Sequence, residues 1–129
     1  MIKTGVEEVL RHLREEFPDS TVSFIPGDNG GGDVIVEDVD VGEGCTPAKT
    51  WIGANLSPQL PFSDVYPLFI GGNVMRRNGT PLGGPTSACQ FASRPAIQVS
   101  RRTNNLVATP HAAAMKFRKV LTFVKELAP

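Results

Sequence analysis

Two stretches of the chain repeat apolar residues at helical spacing, and the region between them alternates at strand spacing. Near the N-terminus Val6, Val9, Leu10, Leu13 and Phe17 fall on one helical face, while Glu7, Glu8, Arg11, Arg14 and Glu15 fall on the other. Thr4 with Glu7 three residues later reads as a capping box, and Pro18 ends the helix because the residue before a proline avoids helical dihedrals. At the other end Thr109 and Pro110 supply a cap and a first-turn residue. Ala113, Phe117, Val120, Leu121, Val124 and Leu127 then form an apolar stripe, with Lys116, Arg118, Lys119 and Lys125 assigned to the wet face.

The strand signals lie between. Thr21–Ile25 ends at Pro26, and "GDNGGGD" makes a flexible turn that lacks the lysine and Ser/Thr of a phosphate loop. In Asp33–Val41 the apolar parity changes at Glu37–Asp38, which predicts a bulge or bend. Lys49–Leu56 places Ile52, Ala54 and Leu56 in phase, and Leu68–Ile70 is a short apolar strand after a proline-rich passage. These make a helix followed by an antiparallel meander of about four strands. Residues 71–95 have no periodicity and are punctuated by glycine and proline, so a long irregular segment is expected there, bearing Cys89. Pro95–Ser100 adds one short strand candidate. The terminal helices are expected on one face of the meander, with the 71–95 segment at its edge. The fold class is α+β, in a single domain spanning residues 1–129.

Composition narrows the function. In 129 residues, thirteen basic side chains balance thirteen acidic ones, so no global field draws a polyanion and nucleic acid is not the expected partner. No apolar run approaches the ~20 residues that span a bilayer. The amphipathic start is not a signal peptide, and a cytoplasmic protein with no membrane partner is expected. Two isolated cysteines and two separated histidines, His12 and His111, make a poor zinc set, so neither metal nor organic cofactor is expected.

Cys89 is the candidate nucleophile, with Arg94, Arg101 and Arg102 as cations able to favour its thiolate. The competing reading is an inert thiol filling a core. Cys45 sits in the turn "GEGCTPA". His111, at a helix start, can act as base or hydrogen-bond donor. Arg101 and Arg102 can bind a carboxylate or phosphate as forks, or stand as ordinary strand-end charges. A third reading, an anion-binding or nucleic-acid adaptor, would be built on Arg76, Arg77, Arg101 and Arg102.

The order helix, meander, "LPFSDVYPLFI" (Leu60–Ile70) with its Tyr66-Pro67 pair, cysteine-bearing segment and terminal helix resembles the ubiquitin-conjugating-enzyme fold. "AIQVSRRTNN" followed by "TPHAAAMKFRKVLTFV" is similar to divergent bacterial relatives, some associated with anti-phage defence. The resemblance implies that Cys89 carries a ubiquitin-like modifier as a thioester. The modifier, a protein with a C-terminal glycine, would come from a ubiquitin-activating-like enzyme and pass to an amine on a target protein. No cofactor is implied. The eukaryotic members place a His-Pro-Asn triplet before the cysteine; here that triplet is absent, Asn73 and Asn78 are the nearest asparagines, and Asn78 is the candidate for supporting the oxyanion. Backbone N–H groups of "GGPTSAC" are the alternative donors. Tyr66 and Pro67 are read as structural, the ring buttressing the 71–95 segment. The alternative function is a catalytically inactive binding module on the same fold, with Cys89 structural.

Overall fold

Burial of the two amphipathic ends and of one sheet face organises the molecule. The computed structural model describes residues 1–129. Helix α1 spans Thr4–Glu16, and the strands follow as β1 (Val22–Pro26), β2 (Gly32–Asp40), β3 (Cys45–Thr46), β4 (Lys49–Leu56), β5 (Leu68–Gly71), β6 (Met75–Arg76), β7 (Thr86–Phe91) and β8 (Arg94–Val99). Helix α2 spans Pro110–Leu127. Six strands form an antiparallel sheet in the order β1-β2-β4-β5-β8-β7, and β3 pairs separately with β6. Both helices lie on one face of the large sheet. Their Val6, Val9, Leu13, Phe117, Val120 and Val124 pack against Val34, Val36, Ile52, Leu56, Leu68, Ile70 and Val99 in one core. No helix is long and apolar enough to cross a membrane.

The parity change in β2 is a bulge: pairing with β4 shifts between Val36 and Val39, and Asp38 takes a φ of 54°. Both sides of the bulge therefore bury valines in the same core, as the alternation rule requires. Thr109 caps α2 by accepting a 3.1 Å hydrogen bond from Ala112 N–H, with Pro110 in the first turn. The capping box of α1 does not form; Lys3 is the cap, without a side-chain bond, and Thr4 is already helical.

The large sheet holds the four meander strands expected, the Pro95–Ser100 candidate as β8, and one strand that was not expected, β7. The 71–95 segment is not irregular throughout, because it contains β6 and all of β7, with Cys89 inside a strand. "TSACQF" is short and rich in small residues, so its strand character comes from pairing with β8 rather than from propensity. The turn joining them consists of Ala92 and Ser93 at φ 51° and 64°. Left-handed residues suit a two-residue hairpin, but Ala-Ser carries none of the usual Asn, Asp or Gly markers.

Lys116, assigned to water, is instead 5% exposed. Its Nζ donates to both Asp64 carboxylate oxygens, at 3.0 and 3.2 Å, and to the Thr103 hydroxyl at 2.7 Å. This joins α2 to two segments that precede it in the chain, around Asp64 and Thr103. Arg76 closes the opposite end of α2: its guanidinium donates twice to Leu127 C=O, at 3.1 and 3.0 Å, and to Pro81 and Leu82 carbonyls. A cation on the final carbonyls of a helix also complements its dipole. Replacing Arg76 by alanine is expected to cost about 2 kcal/mol, because several part-buried acceptors lose a charged donor. A lower urea midpoint with an unchanged slope would register it.

Candidate functional site

Cys89 is positioned by the β7–β8 hairpin, where it pairs with Ala96. Alternation sends Cys89 and Phe91 to the sheet face away from the helices. There they join Ile35, Ala96, Trp51 and Phe69 in a second apolar cluster, to which neither helix contributes. The hairpin tip folds down over this face. The Phe91 ring stacks 4.5 Å from Phe69 and 6.1 Å from Trp51, measured between centroids. Gly53 makes room beneath it, since a Cβ there would lie 2.8 Å from the ring. Arg94, just past the turn, reaches back to Glu37 at 2.8 Å and lies 5.4 Å over Trp51.

The thiol is half-buried beside this clamp, on the outermost strand of the sheet. The two-residue turn makes Phe91–Arg94 a hydrogen-bonded pair, so Cys89–Ala96 is one as well. The intervening Ala88 and Gln90, both exposed, then direct their backbone N–H and C=O groups to the free edge of the sheet. Cys89 is thus flanked on its own strand by two outward amides. Both cysteines are free. Burial pushes the Cys45 thiol above its ordinary pKa, an effect that nearby Arg76 opposes and Asp40 reinforces. Cys45, 3% exposed, is a core residue.

The other side chains nominated by the sequence do not assemble around this sulfur. The Asn78 carboxamide oxygen accepts from Thr80 N–H at 3.0 Å and from the Thr80 hydroxyl at 2.6 Å, which closes a local turn. His111 lies in the helix layer, its ring edge-on to His12 at 5.5 Å, on the opposite side of the sheet from Cys89. Arg101 and Arg102 follow β8 and border α2, with Arg101 over the Phe123 ring and Arg102 over the Tyr66 ring, at 4.2 and 4.1 Å. Tyr66 therefore buttresses the 101–102 segment instead of 71–95, and Pro67 directly precedes β5. Nor do the four arginines form one anion patch: Arg76 is used by α2, and Arg77 lines a separate hollow with Asn78 and Pro129.

The residues that sequence reasoning missed are Phe91, Gly53, Trp51 and Phe69. Their signal was period-two parity: Trp51 and Gly53 alternate with the in-phase core positions of β4, as Phe69 does in β5. No group of three or more His, Cys, Asp or Glu side chains is placed to hold a metal ion. No protein-family model, curated protein or solved structure matches this chain.

Proposed function

We propose that the chain is a ubiquitin-conjugating-like acyl carrier that acts through Cys89. The observation carrying this reading is the placement of a half-buried thiol on a free edge strand between two outward-facing amides. The Cys89 thiolate attacks the thioester carbonyl joining a modifier's C-terminal glycine to an activating enzyme. The new C–S bond forms and the enzyme's own thiolate leaves. An amine of the target then attacks the same carbonyl, Cys89 leaves as thiolate, and the amine's proton passes to solvent. In each step a tetrahedral oxyanion needs donors. With Asn78 engaged by Thr80, the edge N–H groups of Ala88 and Gln90 take that role. The succession of α1, four neighbouring strands β1, β2, β4 and β5, and a Tyr-Pro pair before β5 accords with the fold of that family. A place in bacterial antiviral defence rests on the resemblance of the chain's ending.

The second reading is a catalytically inactive binding module on the same fold, and one observation favours it: neither Asn78 nor His111 lies beside the sulfur. A trap separates the two. Cys89→Lys, expressed in the native host beside wild type and Cys89→Ala, would convert a labile thioester into a stable isopeptide. The carrier reading expects an added mass of a small protein, joined at the introduced lysine and absent from the alanine variant. Unmodified protein in all three favours the module.

A further inference from the structure

From the groove between the Arg101–Asn104 segment and α2, we infer a docking site for an acidic protein segment carrying an apolar anchor. The groove encloses about 500 Å³. Its cations Arg101, Arg102 and Lys119 have no carboxylate partner, whereas Arg118 and Lys116, also on its walls, are paired with Glu16 and Asp64. Glu126 is the single acidic side chain lining it. In a chain of zero net charge, this concentrates uncompensated positive charge in one concave place.

The two arginines are also pre-positioned. Each guanidinium lies over an aromatic ring, Phe123 or Tyr66, and not in an ion pair, so its donors remain free for a carboxylate. The backbone beneath them is fixed, because Thr103 donates through both N–H and hydroxyl to Asp64, at 2.8 and 2.7 Å. Side chains ordered beforehand lose less entropy on binding. Next to the groove a small cleft shares Thr103, Lys116 and Lys119 with it, and is bordered by Leu106 and Val107, which are 46% and 59% exposed. Arginine and aromatic groups beside exposed aliphatic ones make up a protein-binding surface. A nucleic acid would need a longer run of cations along its backbone than three around one hollow. The site lies in the helix layer, away from Cys89, and stands whether or not that thiol is a carrier.

The test is fluorescence anisotropy of the full chain with a labelled peptide of about twelve residues, glutamates interspersed with leucines. Its glutamine counterpart and a single-stranded oligonucleotide of equal charge serve as comparisons. Saturable binding of the glutamate peptide is expected, weakened by salt and not reproduced by the glutamine peptide. The Arg101→Glu/Arg102→Glu double variant should bind at least about tenfold more weakly, a loss of about 1.4 kcal/mol. Lys119→Glu, on the exposed side of α2, repeats the test without altering the loop, and Leu106→Ser/Val107→Ser should weaken the leucine-bearing peptide alone. Absence of saturable binding, equal affinity in the charge-reversed variants, or tighter binding of the oligonucleotide would each overturn the assignment.

Discussion

Replacing Asp64 by alanine is expected to destabilise the protein by about 3 kcal/mol, because removing one partner of a buried pair strands the other charge. Asp64 is the only counter-charge of Lys116, whose side chain is 7% exposed. It also accepts both bonds from Thr103, so one substitution frees an ammonium, a hydroxyl and an amide. The melting temperature should fall on the order of 10 °C. Asp64→Ala/Lys116→Met should recover at least half the loss, since methionine fills the site without needing a partner. Acid acts on the same group. Burial would raise the Asp64 pKa, but the hydrogen bonds from Thr103 and the bonded Lys116 outweigh it, and the net shift is downward. A carboxylate with a lowered folded pKa adds stability that is fully present above its unfolded value of about 3.9 and is lost as pH falls through the folded value. The gap between wild type and Asp64→Ala should therefore be constant near neutrality and shrink below about pH 4. Urea unfolding at several pH values would measure it, and a gap unchanged into strong acid would mean that the carboxylate charge is not what holds this junction.

Replacing Phe91 by alanine is expected to cost a further order of about 3 kcal/mol and to loosen the hairpin that carries Cys89. Phe91 is 7% exposed although it belongs to the outermost strand. Its ring rests on Gly53 of β4 and stacks on Phe69, so it draws the hairpin tip across the open face. Without it, Arg94 would hold the tip through its contact with Trp51 and its pair with Glu37, which is over a third exposed on the arginine side and therefore weak. The amides of Cys89 and Phe91 should exchange with solvent faster, and Cys89 should alkylate faster, while Cys45 stays protected in the core. Unchanged exchange in the hairpin would mean that pairing with β8 suffices to hold it.

Much of the frame was legible in the chain. The two helices and the strands at 49–56 and 68–70 follow from periodicity, because each is a continuous run whose apolar residues fall in one phase, and the bulge at Glu37–Asp38 follows from the break in that phase. The cap at Thr109 was legible for the same local reason. The site was less so. Cys89 could be named as a residue but not placed, since "TSACQF" has little strand character and its Ala-Ser turn bears no hairpin signature. Lys116 fell on the wrong face because its counter-charge lies 52 residues away in a proline-rich loop. Arg76 was grouped with Arg77, Arg101 and Arg102 for anion binding because its acceptor, Leu127 C=O, lies 51 residues away.

What the sequence by itself determined is the set of amphipathic elements, the overall α+β class and the neutral charge balance. These depend on spacing and composition, which are properties of neighbours along the chain. Only the tertiary structure decided that β7 is a strand, that its edge displays Cys89 between free amides, and that Phe91 clamps it. It also decided that Arg101 and Arg102 lie on aromatic rings, separate from Arg76. Those outcomes depend on pairing, stacking and ion contacts between distant segments, whose energies have no counterpart in local pattern.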